Sequence, residues 1–221
     1  MPGETETQKL IESYETGIWY GYEEIYEHTG QVYQQMREIS QAKPIIVAIG
    51  RGGWVMARTL SAYMEMDELD HTTYSVSASY INRNSPDERP VLTQEFAPST
   101  VEAIKSQIQA GGQLWLVDAP FVTGGTMKFT SQYLEELFGQ KPNTAVLHVV
   151  DFQEIESAPW RKKPDFKPDV YAAEIQNDGV NWYVQYPWEW TDIRGYNALC
   201  DAYRKGLPKD SIPSILSNIN S

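Results

Sequence analysis

The sequence predicts an α/β fold built on a parallel sheet, and three observations carry this prediction. Largely apolar runs over residues 45–49, 114–117 and 145–150 are rich in β-branched residues, as in strands covered on both faces. The segments between them place apolar residues at three- and four-residue spacing, the period of an amphipathic helix. Strand and helix patterns alternate through the middle of the chain, which is typical of parallel strands joined by right-handed crossovers.

The first predicted helix spans Tyr22–Ile39, where apolar residues form one stripe. A strand follows over Ile45–Ile49. The glycines of Gly50–Gly53 then predict a turn before a second amphipathic helix. The next strand is predicted over Thr72–Ser79.

The segment from Ser79 to Ser99 is rich in Pro, Asn and charged residues and has no periodicity, so it predicts a long loop. Ser99 and Glu102 form a capping box, which predicts that the third helix begins at Ser99. The glycine pair at residues 111–112 predicts its end, because glycine is favoured just after a helix.

The rest of the predicted sheet surrounds a second glycine-rich turn. The strand over residues 114–117 is predicted to end in Asp118, and a loop leads into the Thr-Gly-Gly-Thr sequence at residues 123–126. A helix through Phe138 and a strand over residues 145–150 follow.

The chain has 221 residues, a length that suits one α/β domain with extensions. We expect an acidic N-terminal extension over residues 1–20, the main domain over residues 21–190 and a C-terminal extension over residues 191–221. Beyond about residue 151 the domain is rich in Pro and Trp, which predicts a small C-terminal aromatic hood. The tail contains a predicted helix from residue 196 to residue 203.

The formal net charge of −12 argues against several function classes. Nucleic-acid binding and a cationic membrane-surface role both need surplus Lys and Arg. No stretch approaches the roughly 20 apolar residues that span a bilayer. The single cysteine, Cys200, cannot form an internal disulfide, and the N-terminus resembles no signal peptide. These features predict a cytoplasmic protein with no nucleic-acid or membrane partner.

Ligands of open α/β sheets bind beyond the carboxyl ends of the strands, where this chain has two glycine-rich segments. In Thr123–Thr126, glycines let backbone N–H groups close on phosphate oxygens, and two Thr hydroxyls add donors. In Gly50–Gly53, the Arg51 guanidinium can meet a phosphate in bidentate geometry. A tight surface turn explains each segment equally well when it is taken alone. Together they predict a site for two anionic ends of one ligand.

Three segments carry a resemblance to a known family. They read PIIVAIGRGGWVMARTLSAYMEM from Pro44, LWLVDAPFVTGGTM from Leu114 and KPDVYAAEIQNDGVNWYVQYPWEW from Lys167. In this order they resemble the type I phosphoribosyltransferases, most closely the xanthine-guanine and hypoxanthine-guanine purine enzymes. The similarity runs from about Tyr20 to Trp190. It implies the Rossmann-like type I phosphoribosyltransferase fold and a homodimer or tetramer.

The resemblance also implies roles for the two glycine-rich segments. Arg51 and Gly52 would contact pyrophosphate. The four residues that would hold the 5′-phosphate of phosphoribosyl pyrophosphate or of a nucleoside monophosphate are Thr123, Gly124, Gly125 and Thr126.

Two further pairs of residues match positions that close the family's site. Ser79 and Tyr80 resemble the Ser-Tyr pair of the mobile loop that covers the reacting centre, a catalytic role. Trp182 matches the aromatic residue that stacks on the purine, with Tyr183 beside it. The alternative for Trp182 is a packing role in the core or the lid.

The acidic positions of the family's central motif differ in this chain. Asp118 is kept, but the second and third acids are Ala119 and Val122. In the family these acids bind ribose hydroxyls, help place Mg²⁺ and accept a proton from the purine. The resemblance therefore leaves the catalytic and Mg²⁺-binding roles to Asp118, with pyrophosphate supplying much of the metal shell. Asp151 ends the strand that carries a base-reading lysine in the family, and it suits an amino group instead.

Two function classes follow. The leading prediction is transfer of ribose 5-phosphate from phosphoribosyl pyrophosphate to a purine-like base, in purine salvage or modified nucleotide synthesis. The alternative is a nucleotide-binding or regulatory protein that lost this activity, or a hydrolase of the nucleotide N-glycosidic bond. A missing general base costs about 10²–10⁴-fold in rate, whereas phosphate loops need none of the missing acids.

Other polar residues predict no site. His28 and His148 have no Ser or Cys partner in a recognisable motif, so a hydrolase triad is unsupported. The acidic residues around His71 are interpreted as a solvated loop, and Cys200 as a small packing residue.

Overall fold

The computed structural model describes residue 14 and residues 17–80, 90–152, 164–177, 183–190 and 193–219. The chain forms two compact units. The central unit is Tyr26–Gln176, and the terminal unit combines Met1–Ile25 with Asn177–Ser221. The domain boundaries that the sequence suggests, at residues 20 and 190, stay a prediction.

A six-stranded sheet organises the central unit, in the order β4-β3-β2-β5-β6-β7. β2 pairs in parallel with β3 and β5, and β5 pairs in parallel with β6, while β4 is antiparallel to β3. The predicted parallel α/β sheet is therefore confirmed. The strands are β2 Pro44–Ile49, β3 Thr72–Ser79, β4 Val91–Gln94, β5 Gln113–Phe121, β6 Asn143–Phe152 and β7 Val170–Asn177.

Four helices accompany these strands: α1 Tyr22–Ile39 precedes β2, and α2 Gly50–Met66, α3 Pro98–Gln109 and α4 Gly125–Phe138 connect successive strands. α2 leads from β2 to β3, and α4 leads from β5 to β6 in the opposite direction across the sheet. Because such crossovers are right-handed, α2 and α4 lie on opposite faces. Ile104 of α3 and Leu134 of α4 share a buried core with Val47 and Leu116, so α3 lies on the face of α4.

Several element boundaries differ from the sequence-based expectations. The third helix begins at Pro98 and not at the capping box at Ser99, and Ala97 is its N-cap without a side-chain hydrogen bond. Proline suits the first helical position because its missing N–H would be unpaired there. Residues 50–53 form the first turn of α2 and not a separate turn. α2 and α3 therefore both begin closer to the strand that precedes them than the sequence predicts.

The sheet is also larger than expected. β4 lies within the predicted long loop, where no periodicity marks it, and residues 81–89 fall outside the described residues. β5 does not end in Asp118 but continues to Phe121, because it keeps pairing with β6 through Phe121 and Val149. From the region predicted as a hood, β7 joins the edge of the sheet beside β6.

The terminal unit pairs β1 (Gly17–Trp19) in parallel with β8 (Tyr183–Gln185). It also contains α5 (Ile193–Arg204) and α6 (Ile212–Ile219), so the predicted helix over residues 196–203 is confirmed. Cys200 lies in the core of this unit, as a packing role requires. None of the described helices is long and apolar enough to cross a membrane. The core residues are Tyr14, Trp19, Tyr196, Leu199, Cys200, Ala202, Ile212 and Leu216.

Candidate functional site

Two helix N-termini meet at the carboxyl ends of adjacent strands in the central unit. α2 begins directly after β2, and α4 begins shortly after β5. The chain leaves β2 toward β3 and leaves β5 toward β6, so the strand order reverses between β2 and β5. Such a switch point is where open α/β sheets bind ligands. The two glycine-rich segments that the sequence predicts as ligand loops therefore lie at the same end of the sheet, where the strands have their carboxyl ends.

The first of these loops is shaped by glycine. Gly50 has φ +47, a left-handed conformation that glycine adopts without strain. A Cβ at Gly53 would overlap the carbonyl oxygen of Val117, and a Cβ at Gly52 would lie 3.2 Å from that of Ala119. The first turn of α2 thus lies directly against β5. Arg51, in the same turn, is exposed.

The second loop packs against an aromatic side chain. Gly124 is the N-cap of α4 with φ +71, and a Cβ there would lie 2.6 Å from the Phe121 ring. Phe121 is buried and packs edge-to-face on Phe166 at 5.2 Å between ring centroids. The first N–H groups of a helix have no partner within the helix, so those of α4 are donors for an anion. Thr123 and Thr126 flank them and are half-buried.

Asp118 lies between the two loops. Its Oδ1 accepts the N–H of Ala119 at 2.8 Å. Burial raises the pKa of Asp118 to about 7, although the hydrogen bond from the Ala119 N–H acts in the opposite direction. Burial therefore favours the protonated form of this carboxyl group.

The two positions where the family has further acids are filled differently. Ala119 is 0% exposed and its methyl group faces Gly52, so this position packs the two loops together. Val122 is half-buried just before the second loop. A carboxylate at residue 119 would be enclosed against backbone, whereas residue 122 still reaches solvent.

Tyr80 is brought to the second loop. It directly follows β3, and its hydroxyl lies against Gly125, where it would overlap a Cβ on that residue. The Ser79 hydroxyl lies 3.3 Å from the carbonyl oxygen of Tyr80. The Tyr80 hydroxyl therefore adjoins the N-terminus of α4.

The predicted base-binding residues cannot be placed at this site. Trp182 lies outside the described residues, and the backbone of Tyr183 begins β8 of the terminal unit. Asp151, near the end of β6, is half-buried.

One polar pair was missed by the sequence interpretation. His28 Nδ1 and His148 Nε2 lie 2.8 Å apart, although 120 positions separate the two residues. The only signal was a polar residue inside an otherwise apolar strand run, and it does not reveal its partner.

The donor set does not fit a magnesium site built by the protein alone. Across the described residues, no group of three or more His, Cys, Asp or Glu side chains could hold a metal ion. Among the described residues, Asp118 lies between the two loops, and its carboxyl group accepts the N–H of Ala119.

Solved structures with the same fold include phosphoribosyltransferases. The chain is similar to a hypothetical protein from Neisseria gonorrhoeae with bound ppGpp, at 23% identity over 85% of this chain and 97% of that chain, with a TM-score of 0.59. A purine phosphoribosyltransferase from Pyrococcus horikoshii has 16% identity over 77% and 94%, with a TM-score of 0.52. A xanthine-guanine-hypoxanthine phosphoribosyltransferase from Helicobacter pylori has 15% identity over 82% and 99%, with a TM-score of 0.54.

No family model and no curated protein matches the chain. At these identities, the structural similarity shows the fold. The type I phosphoribosyltransferase fold, which the resemblance of the three sequence segments implies, is thereby confirmed.

Proposed function

We propose that the chain binds phosphoribosyl pyrophosphate or a purine nucleoside monophosphate at the carboxyl ends of β2 and β5. We propose further that it transfers ribose 5-phosphate to a purine-like base. One observation carries the proposal: two glycine-opened helix N-termini lie at the carboxyl ends of adjacent strands where the strand order reverses. Such an arrangement offers anion donors on both sides of one ligand.

The proposed roles follow the two loops. Residues 123–126 hold the 5′-phosphate through the N–H groups of α4 and the two Thr hydroxyls. Arg51 and Gly52 take the pyrophosphate, since an exposed guanidinium can pair with two phosphate oxygens. Asp118 lies between the loops, where the ribose would lie. Trp182 and Tyr183 stay the prediction for the base.

In the proposed transfer, the bond from the anomeric carbon to a pyrophosphate oxygen breaks and the bond from that carbon to a base nitrogen forms. Pyrophosphate leaves with the electron pair of the broken bond. The proton on the base nitrogen passes to water, because the apolar Val122 cannot accept it. The chain's own contribution is to hold the two ends of the ligand in line.

A second candidate is a nucleotide-binding protein without transfer activity. The packing of Ala119 against Gly52 favours it, because this position is built into the core and leaves no space for an acid. The similar structure from Neisseria gonorrhoeae has bound ppGpp, so a guanosine nucleotide with pyrophosphate groups is the ligand class for this candidate.

The test separates binding from transfer. Titration calorimetry would measure the affinity for phosphoribosyl pyrophosphate, GMP and ppGpp, and a coupled assay with Mg²⁺ would measure pyrophosphate release with a panel of bases. Release with any base supports transfer. Binding without release supports the second candidate, and no binding of any ligand contradicts both.

Variants locate the ligand. Arg51→Ala and Thr123→Val should each weaken binding by about tenfold or more, the equivalent of one charge-assisted hydrogen bond. Arg58→Ala is the matched control, because Arg58 is exposed on the same helix and pairs with Glu65. Equal effects of Arg51→Ala and Arg58→Ala would contradict the proposed site.

A further inference from the structure

The two ligand loops, Gly50–Gly53 and Thr123–Thr126, contain no carboxylate. In phosphate sites, Mg²⁺ is held by one or two carboxylates together with phosphate oxygens and water. The first turns of α2 and α4 contain no acidic residue. Ala119 and Val122, where the family has further acids, are apolar. A cation between the loops would therefore find few ligands on the chain.

The carboxyl groups near the loops are already engaged in other contacts. Asp118 Oδ1 accepts the N–H of Ala119 at 2.8 Å, and Asp165 forms an ion pair with Lys128 near the start of α4. Burial raises the pKa of Asp118 to about 7, and a protonated carboxyl group is a poor ligand for a cation. These two side chains are therefore weak candidates for holding Mg²⁺.

The groups that face a ligand at the loops are suited to an anion. Arg51 is exposed, and it has no ion-pair partner within the part of the chain that the structure describes. The first N–H groups of a helix have no partner within the helix, and the positive end of the helix dipole lies there. Thr123 and Thr126 add hydroxyl donors. These groups attract an anion, although the formal net charge of the chain is −12.

We propose that the two loops bind their phosphate ligand as the free anion, without Mg²⁺. The proposal rests on the proposed function for the place of the ligand, and it departs from the resemblance, which implies a Mg²⁺-binding Asp118. Arg51 and the two helix N-termini balance the charge that the ion would otherwise neutralise. Because Mg²⁺ lowers the negative charge of pyrophosphate and covers some of its oxygens, the complex should bind less tightly than the free anion.

The first experiment is titration calorimetry of the full chain with pyrophosphate, once in EDTA and once in excess Mg²⁺. KCl sets the same ionic strength in both, because screening alone weakens anion binding. Affinity should be about tenfold weaker in Mg²⁺, the equivalent of one charge-assisted hydrogen bond that the ion takes from the chain. Ribose 5-phosphate is the control probe and should change less than about twofold, because its single phosphate group attracts the ion less strongly.

The second experiment restores a carboxylate beside the second loop. Val122→Asp adds a negative charge at a half-buried position, and Val122→Asn is the matched variant of the same shape without the charge. In Val122→Asp, pyrophosphate binding should be weaker in EDTA and should become stronger when Mg²⁺ is added. In Val122→Asn, Mg²⁺ should weaken binding, as in the natural chain. An equal response of the two variants to Mg²⁺ would overturn the proposal, because the missing carboxylates would then not explain it.

The failure of this proposal can be told from the failure of the proposed function. If the natural chain binds pyrophosphate in Mg²⁺ but not in EDTA, or binds it more tightly in Mg²⁺, the proposed site stands and the cation-free binding is wrong. If the natural chain binds neither pyrophosphate nor ribose 5-phosphate in either condition, the proposed function fails and this proposal fails with it.

Discussion

Nδ1 of His28 lies 2.8 Å from Nε2 of His148, and the two rings meet edge-to-face at 4.9 Å between centroids. His148 is fully buried on β6, and His28 is half-buried on α1. In such a pair one imidazole donates and the other accepts, so the accepting ring must be neutral. The contact links α1 to the sheet.

Lowering the pH should weaken the contact between His28 and His148. Burial, with a smaller effect of His28, lowers the pKa of His148 from 6.5 to about 3. Between pH 3 and pH 6.5, His148 is protonated in the unfolded chain but not in the folded chain. The contribution of this buried histidine to the free energy of unfolding is therefore complete above pH 6.5 and is lost as the pH falls. The slope is at most about 1.4 kcal/mol per pH unit.

The measurement is the free energy of unfolding in urea from pH 4 to pH 7, for the natural chain and for His148→Gln. Because the raised pKa of Asp118 has the opposite sign over this range, the difference between the two proteins is the quantity to follow. It should shrink as pH falls. A difference that stays constant with pH would contradict the prediction.

Restoring acids to the central motif should have unequal consequences. Ala119→Asp should lower the free energy of unfolding by about 3 kcal/mol or more, because it buries a carboxylate against Gly52. Val122→Asp should cost much less, since residue 122 is half-buried. Urea denaturation measures both, and equal costs would show that Ala119 is not a packing position.

Gly125 and Tyr80 should be energetically coupled. Gly125→Ala forces the Tyr80 hydroxyl away and should cost about 1 kcal/mol, because a side-chain end can move. The cost should vanish in a Tyr80→Ala background and persist in a Tyr74→Phe background. A double-mutant cycle by thermal or urea unfolding measures the coupling. Equal costs in the three backgrounds would disprove the contact.

Two glycines should respond differently to the same change. Gly53→Ala should cost about 1–3 kcal/mol, since the new methyl group overlaps the backbone carbonyl of Val117. Gly30→Ala should be near neutral, because the gain of about 1 kcal/mol in helix propensity offsets displacement of the Tyr63 hydroxyl. Unfolding curves of both variants test this, and a neutral Gly53→Ala would contradict the close packing of α2 on β5.

Regular patterns made most of the central unit predictable. α1 was expected over Tyr22–Ile39 and β3 over Thr72–Ser79, and both have these bounds. β4 was not predicted, because its four residues are mostly exposed and show no alternation. The start of α3 was misplaced, because a capping box and a proline compete within two residues.

The site was predictable in place but not in detail. Glycines after apolar runs located both loops, since close backbone approach needs glycine wherever the fold puts it. That Ala119 faces Gly52 depends on how α2 packs against β5, and these two elements lie far apart in the sequence. Local sequence patterns do not predict such contacts.

The terminal unit is assembled from the two ends of the chain. β1 pairs with β8, and the Tyr14 hydroxyl donates to the carbonyl oxygen of Leu207 at 2.8 Å. Ribosomes make β1 long before β8, so β1 has no strand to pair with until β8 has emerged. The central unit is complete earlier. Translation thus sets an order of assembly in which β1 is synthesised before the central sheet but finds its partner strand only after it.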